Sequence, residues 1–194
     1  MSVSELEPLL ARIRGCTTCP LPHGPRPVVR AARGARIAVI GQAPGSKVHA
    51  SGVPWDDPSG ENLVDWLGVG RATFDDPERF AVVPMGFCYP GKGASGDLPP
   101  RKECAPQWHG PLLAALPGIT LTLLVGTYAQ AAYLPDRRRT LTATVQAGAD
   151  WLPAVLPLPH PSWRSRIWRR KNPWFDEEFL PILRARVAEA LQGA

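Results

Sequence analysis

Apolar positions recur along the chain with two different periods. Leu6, Leu9, Leu10 and Ile13 share one face of a helix over residues 4–14, and Ser4 with Glu7 makes a capping box at its start. Ile37 to Ile40 is a short β-branched run after a charged turn, which predicts a buried strand. Leu63, Trp66 and Leu67 return at helical spacing over 60–67, with Ser59 placed to cap that helix. Phe80 to Pro84 predicts a second strand. Residues 89–100 are rich in glycine and proline and predict a loop. A helix over about 102–115 begins near Cys104. Ile119 to Val125 predicts a third strand, followed by Gly126 and a short helix over 127–133. Residues 140–152 carry no clear period. Val155 to Leu158 predicts a fourth strand, running directly into Pro159-His160-Pro161-Ser162. A last helix over about 174–191 should bury Phe179, Ile182, Leu183 and Val187. Strands alternating with helices imply a parallel sheet covered on both faces, so the predicted fold is α/β, a three-layer αβα arrangement around four parallel strands.

Length and charge narrow the function classes. A chain of 194 residues suits one domain, taken as 1–194. No apolar run reaches the roughly 18 residues of a membrane span. The start, MSVSELEPLL, is acidic and helical rather than a basic, apolar leader, so the expected location is cytoplasmic and the expected state a monomer. Net charge is +5, and residues 164–171 hold five of the 22 basic side chains around Trp168. Such a segment fits a polyanion partner, although an arginine-rich composition alone also produces one.

Three groups of residues carry candidate chemistry. Gly41-Gln42-Ala43-Pro44-Gly45 follows the first strand, where open α/β sheets bind ligands. Trp55, Asp56 and Asp57 place an indole and two carboxylates just before a helix, either as a solvated turn and cap or as a site. Cys16 and Cys19 are spaced for one metal centre, and Cys88 and Cys104 both border loops. Four thiolates suit structural zinc or an iron–sulfur cluster, and the spacing does not separate the two.

Together these motifs resemble the uracil-DNA glycosylase superfamily over about residues 16–175. The combination is the CxxC, the strand followed by GxAPG, the later cysteine pair around a proline- and glycine-rich loop, and the late His-Pro-Ser. The closest branches look like families four and five, which carry a [4Fe–4S] cluster. The resemblance implies Cys16, Cys19, Cys88 and Cys104 as its ligands, zinc being the lesser expectation. It implies hydrolysis of the N-glycosidic bond of uracil in DNA after base flipping. Ala43 leaves the usual acidic position empty, and Asp57 ahead of Ser59-Gly60 matches the compensating aspartate of family five, with Asp56 the alternative. His160 would donate to the departing base. Gly41, Gln42, Ala43 and Gly45 would hold the base edge, and Trp55 would stack on it. Ser162, Arg164 and Arg166, in the segment resembling the DNA-intercalation loop, would meet DNA.

Gln42 is uncharged where family four prefers glutamate, so it cannot supply the carboxylate. One departure bears on substrate. Pro84 stands where that family has an asparagine that reads uracil. Other deaminated bases such as hypoxanthine are therefore expected substrates alongside uracil. A non-catalytic iron–sulfur protein that binds DNA or damaged bases is the alternative.

Overall fold

The computed structural model describes residues 5–94 and 96–193. Ser4, the expected cap of the first helix, lies outside them. In chain order the helices are α1 (Leu6–Arg14), α2 (Ser46–Ser51), α3 (Pro58–Leu67), α4 (Arg71–Asp75), α5 (Cys104–Ala114), α6 (Thr127–Tyr133), α7 (Leu141–Gln146), α8 (Ser165–Lys171) and α9 (Leu180–Gln192). The strands are β1 (Ile37–Ile40), β2 (Phe80–Val82), β3 (Lys92–Gly93), β4 (Gly96–Asp97), β5 (Leu121–Val125) and β6 (Val155–Leu158). A 3₁₀ turn spans Gly148–Trp151, and a π-helical turn, Phe175–Phe179, leads into α9.

Strands β2, β1, β5 and β6 form one sheet in that order, and every pairing is parallel. All four residues of β1 are buried, as an inner strand between two helical layers requires. Side-chain alternation divides the core. Ile37, Val39, Leu123 and Leu156 pack against α3 and α9 on one face. On the other face Ala81 and Val83 meet α1 and α5, while Ile40 and Leu124 meet Ala129 of α6. The three-layer architecture with four parallel strands is therefore the one expected.

Several local expectations change. Residues 92–97, expected as loop, contain the antiparallel pair β3–β4, with Lys92 opposite Asp97. Gly96 sits at φ +138°, open to glycine and rarely to other residues. The cap of α3 is Asp57 rather than Ser59. The Asp57 carboxylate accepts the Gly60 N–H at 2.8 Å, and Pro58 takes the first helical position, where its missing N–H loses nothing. Residues 140–152, which show no clear period, form α7 and the 3₁₀ turn. Helices α2, α4 and α8 are too short for a periodic signal.

In α9, Leu183 and Val187 are buried as expected, but Ile182 is 42% exposed. The π-helical turn inserts an extra residue ahead of the helix and rotates the apolar stripe relative to a regular 3.6-residue count. Leu183→Ala should lower stability by about 2–5 kcal/mol. Ile182→Ala should change it by no more than about 0.5 kcal/mol. Urea unfolding of the two variants beside the parent checks both the rotation and the packing.

Candidate active site

The parallel strands end at one edge, and the segments that leave them surround a cavity of about 500 Å³. Gly41 to Gly45 leave β1 on one side. Pro159 to Arg164 leave β6 on another, and the β3–β4 pair adds a third wall. A side chain on Gly41 would begin 3.0 Å from Cζ2 of Trp55, so only glycine admits the indole over the turn. Trp55 itself adopts φ +58°. An amino acid with a side chain holds that conformation only when its surroundings fix it. Here Arg71 donates to the Trp55 carbonyl at 3.0 Å and to the Pro54 carbonyl at 3.4 Å. Arg71 is fixed in turn by Asp75 at 2.7 Å, and Asp75 by Arg30 at 2.8 Å. The indole is thus partly packed on the core and partly open to the cavity, 5.9 Å from the His160 ring between centroids.

Asp57 lines the cavity and Asp56 is exposed outside its lining. Capping commits Oδ1 of Asp57 to the α3 N-terminus. Its Oδ2 lies 3.9 Å from the point where a side chain on Gly45 would begin. The cap and the site readings are therefore compatible: one oxygen serves the helix and the other faces the cavity. His160 is held below its usual pKa by burial, while Asp57 and Asp97 pull it back up. Burial prevails, so the ring is neutral at neutral pH, with one nitrogen carrying a proton to donate.

Gln42, Ala43 and Gly45 also border the cavity, and Gln42 Nε2 donates to the Leu98 carbonyl at 3.5 Å. Pro84 borders it too. Its carbonyl accepts from Nε2 of the buried His109 at 3.0 Å, which leaves Nδ1 to accept from the Tyr133 hydroxyl at 2.6 Å. Position 84 offers no side-chain donor to a ligand.

A comparison with protein families matches residues 29–184 to the Uracil DNA glycosylase superfamily. The chain belongs to that superfamily. Membership supports a DNA glycosylase, a hydrolase of base excision repair with DNA as its substrate. Among the described residues no helix is long and apolar enough to cross a membrane.

The basic segment 164–171 begins at the edge of the same cavity. Ser162 and Arg164 border the cavity, whereas Arg166 is exposed on α8 outside its lining. The segment is less uniform than its composition suggests. Arg169 pairs with Asp176 at 2.8 Å and lies over the Trp66 ring. Trp168 turns inward, donating to Thr142 Oγ1 at 2.9 Å and meeting Phe175 edge-on. The aromatic presented at the cavity mouth is instead Trp163, 68% exposed beneath the Arg164 guanidinium. Neither Trp163 nor Asp97 stands out in the sequence. Asp97 lies in a glycine- and proline-rich stretch that reads as a connection, and only the hairpin brings it to the cavity.

All four cysteines are free thiols, half-buried around a second, smaller cavity shared with Trp108 and Arg101. Burial pushes the Cys88 and Cys104 thiols up to about 11, and the neighbouring cysteines add to it. Cys16 moves the other way. Burial raises it, but bonds from Thr18 and the nearby Trp108 indole outweigh that. The Trp108 Nε1–H is buried beside Cys16 at the same cavity, outside ideal hydrogen-bond geometry. Among the described residues no three His, Cys, Asp or Glu side chains form a coordination set for a single ion. Cys88 and Cys104 fall inside the matched span, Cys16 and Cys19 before it.

The His160 ring should titrate below 6.5 when followed by NMR. Asp57→Asn removes a charge that raises this value, so the midpoint should fall further. The folded value lies below the unfolded one. Between the two, the unfolded chain binds more protons, and His160 makes stability drop as pH falls under 6.5. An unchanged midpoint in Asp57→Asn would place the aspartate away from the ring.

Proposed function

We propose that this superfamily member is a monofunctional DNA glycosylase that releases uracil, and other deaminated bases such as hypoxanthine, from DNA. The observation that carries this reading is the convergence of Trp55, Asp57 and His160 on one cavity at the carboxyl edge of the sheet. Duplex DNA hides the glycosidic bond, so the base must leave the stack and enter the cavity. Trp55 offers a face on which it stacks. Bond cleavage puts positive charge on the deoxyribose and negative charge on the departing base. The Asp57 carboxylate stabilises the first. The neutral His160 donates its N–H to the base oxygen that gains the second, and Gln42 with the amides of 41–45 holds the base edge. Ser162 and Arg164 at the mouth, with Arg166 beyond it, suit phosphate contacts. No lysine lines the cavity among the described residues, in keeping with hydrolysis rather than a Schiff-base step. The lack of a side-chain donor at Pro84 supports a tolerant base preference over strict uracil reading.

Single-turnover base release from oligonucleotides holding uracil or hypoxanthine, in single and double strands, tests this reading. Asp57→Asn and His160→Ala should each lose about 10²–10³ in rate, with DNA affinity little changed. Asp56→Asn should stay near the parent. Tight binding by the parent with no release would instead make the protein a binder of damaged DNA.

We further propose that Cys16, Cys19, Cys88 and Cys104 hold a [4Fe–4S] cluster. Four free thiols around one cavity, with the buried Trp108 indole N–H beside Cys16, fit such a group. When bound it supplies a covalent tie between the segment before β1 and the segments at 88 and 104 rather than a step of the reaction. Fresh anaerobic protein should contain iron and absorb near about 400 nm. Cys88→Ser should lower the unfolding temperature as well as the iron content. Stoichiometric zinc without iron would overturn the assignment.

A further inference from the structure

The cavity holds a second carboxylate that the superfamily match does not assign. Asp97, on β4, lies across from Asp57. A side chain on Gly45 would begin 3.5 Å from Oδ2 of Asp97 and 3.9 Å from Oδ2 of Asp57. Both oxygens therefore lie close to Gly45 at the cavity. Their surroundings differ. Asp57 has one oxygen bound by the Gly60 amide at a helix N-terminus, where negative charge is favoured. Asp97 sits on an exposed hairpin, and the Tyr89 hydroxyl reaches its Oδ1 only at a long 3.5 Å. A fixed, capped charge suits electrostatic stabilisation. A carboxylate open to water suits proton transfer. Glycosidases that use water directly divide labour between two carboxylates in this way.

We propose that Asp97 is the general base of the reaction and Asp57 the fixed charge beside the sugar. This rests on the glycosylase reading above. One water sits between Asp97 and the sugar C1′. Its oxygen forms a bond to C1′ as the C1′–N bond breaks, and the bonding pair leaves with the base, whose oxygen is held by His160. The water's proton passes to Asp97, which later returns it to the released base or to solvent. The other groups facing Asp97 are Tyr89, Lys92 opposite it in the hairpin, and His160 with Arg164 on the cavity wall. Gly96, at φ +138°, suits the tight turn between the two short strands that brings Asp97 to the cavity.

The test is single-turnover release of uracil across pH by the parent, Asp97→Asn, Asp97→Ala and Asp57→Asn, with DNA affinity measured alongside. Asp97→Asn should lose about 10²–10³ in rate with affinity within about threefold of the parent. The fall in rate on the acid side of the parent profile should vanish in Asp97→Asn and persist in Asp57→Asn. Added formate, a small carboxylate able to enter the space left in Asp97→Ala, should restore part of its rate and leave Asp57→Asn unchanged. An active parent with Asp97→Asn near normal overturns this proposal and leaves the glycosylase reading intact. So does a slow Asp97→Asn that keeps the acid limb while formate has no effect on Asp97→Ala. A parent that binds DNA and releases no base from any substrate overturns both.

Discussion

Parallel pairing in register is the constraint on which the rest depends. Ile40 of β1 lies beside Leu124 of β5, and Val125 of β5 beside Leu158 of β6. Three strands therefore end at nearly the same level, and the loop leaving each one emerges at a shared edge. The glycine turn after β1, Gly126 after β5 and His160 after β6 become neighbours although they are far apart in sequence. Gly126 shows how close this brings them, since a side chain there would begin 3.6 Å from the His160 Cβ. A one-residue slip of β6 would send Leu156 and Leu158 to the opposite layer and carry His160 away from the cavity.

The same pairing explains how much was legible in the sequence. A strand buried on both faces appears as a mostly apolar run, so Ile37 to Ile40, Ile119 to Val125 with its two threonines, and Val155 to Leu158 stand out without an alignment. The residues immediately after such runs are at the ligand edge by necessity, which is why Gly41, Gln42 and His160 could be singled out. Asp57 was singled out by the resemblance to family five, while the cap was placed at Ser59; in the structure Asp57 is itself the cap and lies at the cavity. Elements placed by tertiary contacts alone left no such trace. Helix α4 has five residues and exists where Arg71 and Asp75 can reach Trp55 and Arg30. The β3–β4 pair has two residues a side and no apolar alternation. Trp168 and Trp163 differ only in the space their neighbours leave open, and no local pattern tells an indole bonded to Thr142 from one left in solvent.

The two cavities are joined by a short path. Cys88 borders the small one. The next residue, Tyr89, reaches Asp97 on the hairpin that walls the large one. Tyr89 also stacks on His23 and lies near His49, so the segment between the cysteines and the hairpin is packed by rings rather than by regular structure. Whatever fixes Cys88 and Cys104 therefore fixes both ends of residues 88–104, the segment that carries the hairpin.

The ion pairs behind Trp55 have a consequence for how the molecule meets its substrate in different salt. Arg30 is only 14% exposed, with Asp75 and Arg71 at 35% and 30%, and pairs so sheltered are screened far less than charges in open solvent. The attraction between an exposed basic rim and a polyanion, by contrast, weakens steeply as counterions compete for the same phosphates. On the proposed reading, changes in ionic strength act on the encounter with DNA and leave the indole in its place, so docking and internal alignment would answer to separate electrostatic controls.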